Sequence, residues 1–212
     1  MVGPRGRTLD RVGDEHGPWT PLAPVEVAVL LHGAPFRWWI TGGHALELHL
    51  HRSWRDHADV DVGICRVDAP AFHDDLTAAG LVPWIAAAGQ LRPWDGRPLS
   101  AEEHENNVWW RRTADGPWVL DTAIGDGTAE EWIYRRDPSI RRPWSEAVLT
   151  TAHDVPYLAP ELQLLFKSEV RNLRPKDDLD AEEVVPHLSP ARRAALAGLL
   201  PADHPWQAIT AR

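Results

Sequence analysis

The segment FRWWITGGHALELHLHRSWRDHADVDVGICR holds the feature that most restricts the fold. Two aspartates, Asp59 and Asp61, interrupt an otherwise apolar, β-branched run. Residues i and i+2 of a strand point to the same face, so the two carboxylates stand side by side while Val60 and Val62 face away. Like charges that close raise each other's pKa unless a cation lies between them. A divalent ion resolves the conflict, and Mg²⁺ takes one or two carboxylates together with phosphate oxygens. Upstream, the strand-like FRWWIT ends in Gly42 and Gly43 and runs into HALELHLHRSW. Its leucines alternate as in a strand, but Ala, Leu and Glu favour the helix chosen here. A strand that ends in Gly-Gly and opens a helix brings bare backbone N–H groups to a phosphate. A phosphate cradle followed by a metal-binding Asp-x-Asp is what nucleotidyl transfer requires.

The rest of the chain alternates and then turns helical. APVEVAVLLHG reads as a short helix with Gly33 past its end, ADVDVGICR as a strand, and PAFHDDLTAAG as a helix stopped by Gly80. NNVWWRRT and PWVLDTAI, separated by Ala114-Asp115-Gly116, read as a hairpin. EWIYRR is a further short strand, and RRDPSIRRP a structural hairpin or interdomain segment. After residue 155 the pattern is helical in APELQLLFKSEV, KDDLDAEEVVPHL and SPARRAALAGLL. The expected division is a loose segment 1–17, an α/β domain 18–152 and a helical domain 153–212.

Composition narrows the function. No apolar run reaches the ~18 residues of a membrane helix, and MVGPRGRTLDRVG lacks the apolar core of a signal peptide. One cysteine, Cys65, fits a reducing, cytoplasmic setting. A net charge of −9 without a basic stripe makes nucleic acid a poor partner and a cationic molecule a better one. The eleven histidines show no zinc-like spacing. Twelve tryptophans exceed ordinary need; most are expected in the core, leaving a few to line a pocket for a ring or sugar.

Gly42-Gly43, Ala45-Leu46, Arg55, His57 and Asp59-Val60-Asp61 together resemble the nucleotidyltransferase superfamily that includes DNA polymerase β. The nearer likeness is to its aminoglycoside 2″-adenylyltransferase branch. It continues through GPWVLDTAI, EWIYRRDPSIRRP and YLAPELQLLFKSEVRNLRPKDDLD, covering roughly residues 20 to 206. The resemblance implies an α+β protein: a small mixed β-sheet flanked by helices, then a C-terminal helical domain, with the site in the cleft. His44 departs from the tryptophan common in that branch.

A third carboxylate is needed to bind a second ion or to take the acceptor's proton. Asp121 is chosen because it interrupts the apolar strand PWVLDTAI. Asp115 and Asp126 lie in glycine-containing turns, and Glu105 is a further possibility on the neighbouring strand. The resemblance implies that Lys167 reaches the triphosphate; a flexible ammonium can follow charge onto the leaving group. Arg55 and His57 are placed with the nucleotide contacts, and Lys176 adds charge at the cleft, while Asp177 or Asp178 suits a helix cap. The expectation is an Mg²⁺-dependent enzyme that moves a nucleoside monophosphate from a nucleoside triphosphate, ATP foremost, to a hydroxyl of a small, aminoglycoside-like acceptor. Asp59, Asp61 and Asp121 are the metal-binding and catalytic set. Other readings are an inactive nucleotide-binding protein, a toxin-type enzyme that modifies RNA or protein, and an interaction module built on the tryptophans.

Overall fold

The computed structural model describes residues 16–169 and 173–211. Residues 1–15 of the expected loose segment, and the end of the APELQLLFKSEV helix at Val170, lie outside the described residues.

Helix α1 (Pro24–Leu30) leads to strand β1 (Trp38–Thr41), helix α2 (Gly42–Leu50) and strand β2 (Asp61–Cys65). Asp59 falls two residues before β2 rather than within it, but the alternation holds, since Val60 and Val62 are both fully buried. Helix α3 (Ala69–Ala78) precedes strands β3 (Val82–Ala87), β4 (Gln90–Pro93), β5 (Asn107–Arg111) and β6 (Trp118–Gly127). The expected hairpin is β5–β6, paired antiparallel. Strands β7 (Glu131–Ile133) and β8 (Arg141–Pro143) form the hairpin expected of EWIYRRDPSIRRP. Helix α4 (Trp144–Ala147) and strands β9 (Val148–Thr150) and β10 (Pro156–Leu158) follow. Helices α5 (Pro160–Lys167), α6 (Pro175–Val184), α7 (Pro190–Leu199) and α8 (Gln207–Thr210) complete the chain.

The sheet is mixed, in the order β4-β3-β5-β6-β2-β1-β10-β9, with β7 and β8 branching from β6. Strands β2 and β6 run parallel, as do β1 and β10; β1 and β2 are antiparallel. The turn to helix therefore comes later than residue 155. Pro156–Leu158 is too short for a periodic signal, and its conformation is set by pairing with β1 and β9.

One sheet face is dry. Ile40, Val62, Ile64, Val108, Trp110 and Leu120 form its core with Val27 of α1 and Phe72 and Leu76 of α3. Leu46 of α2 instead joins Leu164, Ala181 and Val184 from the C-terminal helices. That packing seats α5 and α6 beside the start of α2, so the Gly-Gly turn, the Asp59 loop and Lys167 meet.

Candidate active site

Register places the carboxylates. In the parallel β2–β6 ladder Asp61 is the direct partner of Asp121, and across β1–β2 it is the partner of Thr41. Cross-strand partners share a sheet face. Asp59 lies just upstream, and its charge acts on both other acids. The three expected carboxylates are thus brought together.

The glycines make this approach possible. Gly42 has φ +69°, and a Cβ there would lie 1.9 Å from Asp61 Oδ2. A Cβ on Gly43 would lie 2.2 Å from Arg55 Nη2 and 2.3 Å from His57 Cε1. The Gly42 N–H is not bare, as expected for a phosphate cradle; it donates to Gln163 Oε1 at 2.9 Å, and Thr41 Oγ1 donates to the same oxygen at 2.6 Å. Gln163 of α5 thereby pins the turn. First-turn amides lack intrahelical partners, so the Gly43 and His44 N–H groups have none within α2.

Electrostatics show an acidic centre short of positive charge. Burial, then the charge of Asp59, pushes the Asp61 carboxyl up to about 7, against the pull of Lys167, Lys176 and Arg174. Asp121 is also pushed well above the carboxylate range, by burial and then by Asp61. Asn107 Nδ2 donates to Asp121 Oδ1 at 3.0 Å, and the Trp109 indole likewise favours the charged form. Three acids with two so raised, set against a turn from which side chains are excluded, fit a divalent cation.

The cations are differently committed. Asp180 is fully buried and receives Arg55 Nε at 2.8 Å, Arg55 Nη2 at 3.0 Å, Trp54 Nε1 at 3.0 Å and Lys167 Nζ at 3.0 Å. Lys167 also lies 3.1 Å from Asp177. Expected as a triphosphate contact, Lys167 is here held between two acids of α6. Asp177 is the first-turn acid of α6, as expected, and accepts the Arg174 N–H at 3.2 Å. Lys176 makes no ion pair among the described residues; burial and the crowding of Arg174 lower its pKa, and Asp59 opposes this. Glu105 is no catalytic candidate: it is fully buried and bound by Arg92, Arg97 and the Ser100 N–H.

His57 sits with Nδ1 3.1 Å from Arg55 Nη1 and Nε2 3.0 Å from Glu47 Oε1. His44, Glu47 and His57 offer three donor atoms within 4.8 Å of one another, a grouping that sequence spacing did not reveal. The His44 and His57 rings stack at 4.0 Å and 30°. Rings stacked so closely aim their in-plane lone pairs side by side rather than at one point. Glu47 already accepts from Ser53 and from the Trp54 N–H. The group is therefore a packing relay from Asp180 through Arg55 and His57 to α2. Burial, then the charge of His57, lowers His44 to about 4 and keeps it neutral.

Sequence reading missed Gln163, Asn107, Trp109 and Asp180, because each acts through a contact made across the fold.

Comparison with known proteins identifies the family and supports the fold. A family model described as aminoglycoside-2″-adenylyltransferase matches residues 25–183. No curated protein matches in sequence. Among solved structures, the chain is similar to the solution structure of the antibiotic-resistance factor ANT(2″)-Ia, with TM-score 0.54 and 14% identity over 81% of this chain and 85% of that one. It is similar to ANT(2″)-Ia in complex with adenylyl-2″-tobramycin, with TM-score 0.54 and 12% identity over 82% and 93%. It is also similar to lincomycin-bound lincosamide antibiotic adenylyltransferase LnuA, with TM-score 0.50 and 16% identity over 74% and 90%.

Proposed function

This chain belongs to the aminoglycoside-2″-adenylyltransferase family and is a nucleotidyltransferase, and on that premise we propose that it moves AMP from ATP to a hydroxyl of a small antibiotic-like acceptor. The observation that carries the site assignment is the Asp61–Asp121 register, with Asp59 beside it and Gly42 pressed against Asp61. Asp59 and Asp61, with Asp121, would hold Mg²⁺. When bound, the ion neutralises phosphate charge and aligns the triphosphate.

The protein's own groups do the rest. The Gly43 and His44 amides, at the start of α2, face phosphate oxygens. Lys176 and Lys167 supply positive charge at the same place, Lys167 by exchanging part of its Asp177–Asp180 contact for phosphate. Arg55 and His57 hold the Asp59 loop on α2. Asn107 and the Trp109 indole orient Asp121, which takes the acceptor's proton. The acceptor oxygen then attacks the α-phosphorus, and pyrophosphate leaves. The reading keeps a two-part chain, residues 18–152 with the carboxylates and 153–212 with the lysines, although β10 of the second part joins the sheet of the first. Among the described residues no helix is long and apolar enough to cross a membrane.

The test is incubation with Mg²⁺ and α-labelled ATP against a panel of hydroxyl compounds that includes tobramycin and lincomycin. A labelled adenylyl adduct with matched pyrophosphate release supports the reading. Absence of any adduct, with ATP bound, favours the inactive nucleotide-binding protein.

A further inference from the structure

Gln163 offers more than the turn uses. It lies on α5 and is only 4% exposed. Its Oε1 accepts two hydrogen bonds, from Thr41 Oγ1 and from the Gly42 N–H. A backbone N–H only donates, so the oxygen must face Gly42 and the amide cannot be turned round. That fixes Nε2 beside the turn with two N–H groups to give. Nε2 has no partner among the described residues, yet it is not closed off from solvent as Trp84 Nε1 and Arg111 Nε are. An oriented, unspent donor on so buried a side chain is completed by water or by a ligand.

The donor belongs to the acidic centre. Thr41 is the β1 partner of Asp61, and Gly42 is pressed against Asp61 Oδ2. An amide nitrogen shares its carbon with the oxygen, so Nε2 lies in the same neighbourhood. No carboxylate takes it, although Asp59, Asp61 and Asp121 meet at this centre. Lys167 is four residues on, along the same face of α5, a rise of about 6 Å. The charge of Lys167 also acts on Asp61. Gln163 therefore stands between the carboxylates and the lysine assigned to the leaving group.

We propose that Gln163 is a nucleotide-binding residue: Nε2 donates to a phosphate oxygen in the leaving pyrophosphate part of the triphosphate, while Oε1 keeps its hold on Gly42. The proposal rests on the nucleotidyltransferase reading and adds a residue of the helical part that touches nucleotide and turn at once. Two bonds accepted at Oε1 polarise the amide and strengthen its N–H groups as donors. The side chain is already held, so little rotamer freedom is lost when phosphate arrives.

The chain has three glutamines, Gln90, Gln163 and Gln207, so ¹⁵N labelling of glutamine gives three side-chain amide pairs, each assigned through its own backbone. Gln207 Nε2 is spent on the carbonyls of Ala197, Leu200 and Pro201 and is the internal control. The full chain is titrated with Mg²⁺ and an α,β-methylene analogue of ATP, with Mg²⁺–pyrophosphate, and with Mg²⁺–AMP. The Gln163 pair should shift and exchange with water more slowly with the analogue and with pyrophosphate. It should stay in place with AMP, and the Gln207 pair should stay in place throughout. Gln163→Glu offers oxygens to Thr41 and Gly42 but no N–H. Calorimetry on this variant should show affinity for the Mg²⁺-bound analogue lowered by about tenfold or more, the scale of one hydrogen bond to a charged group. Should the variant fail to fold, the wild-type spectra decide. An unmoved Gln163 pair with the analogue bound overturns the proposal and leaves the nucleotidyltransferase reading in place, as does unchanged affinity in Gln163→Glu. An equal response to AMP also overturns it, since the donor would then lie away from the leaving group. Failure of wild type to bind the analogue removes the nucleotidyltransferase reading and the proposal with it.

Discussion

Asp61 and Asp121 are direct partners in a parallel ladder, so a half-buried and a buried carboxylate leave one sheet face a single strand apart. The apo protein has to accommodate that repulsion. Asp61 is raised from the ordinary 3.8 to about 7. Between those values the folded state binds more protons than the unfolded state, so apo stability falls as pH rises through that window. Asp61→Asn removes the repulsion. Thermal melts across the window should show a steeper loss for wild type than for Asp61→Asn, and a higher midpoint for the variant near pH 7. Parallel pH profiles would mean that Asp61 is not strained by its neighbours.

Asp121→Asn separates chemistry from binding. The amide keeps the size and most contacts of the carboxyl but takes no proton. Transfer should fall by about 10²-fold or more, with Mg²⁺–ATP affinity largely kept. Lost nucleotide affinity with unchanged turnover would make Asp121 a ligand only, and wild-type kinetics would remove it from the site.

Gly42→Ala tests the close approach. The substitution must adopt φ +69° and bring a methyl group against Asp61 Oδ2. The left-handed conformation alone costs roughly 1–2 kcal/mol, and the clash displaces the carboxylate. Stability and transfer should both fall, as read by chemical denaturation and by adduct yield. Gly33→Ala is the control, since its φ is +78° with nothing within 4 Å. It should lose stability only.

The Asp180 hub ties α6 to the Asp59 loop and to Lys167. Asp180→Asn leaves Arg55 and Lys167 short of a buried counter-charge, a change that costs about 3–5 kcal/mol when such a pair is broken. Denaturant midpoints should drop accordingly. A loss under about 1 kcal/mol would show the hub to be a weak, solvated cluster.

The sequence carried the local half of this site. The Gly-Gly turn, Asp-x-Asp and the interrupted strand at Asp121 are short-range patterns with a physical reading, the Ala114-Asp115-Gly116 turn marked the β5–β6 hairpin, and the family resemblance implied the α+β class and the mixed sheet. What it did not carry depends on tertiary pairing. Nothing near Lys167 in sequence announces that Asp177 and Asp180 clasp it. Glu105 looked available until Arg92 and Arg97, brought over by β4 and its following loop, enclosed it. Pro156–Leu158 became a strand through β1. The row of Trp109, Asp121 and Asp61 exists only in the register of three strands. The acids behind the −9 charge are in part spent on ion pairs, as at Glu105, Asp177, Asp180 and Glu183, so net charge alone said little about the acceptor.

The most direct test of the account is a calorimetric titration of ATP into the protein, with and without Mg²⁺, for wild type and for the Asp59→Asn/Asp61→Asn double variant. The account predicts binding by wild type that depends on Mg²⁺ and is lost in a folded double variant. Equal ATP affinity in both proteins, or binding by wild type that ignores Mg²⁺, would contradict it.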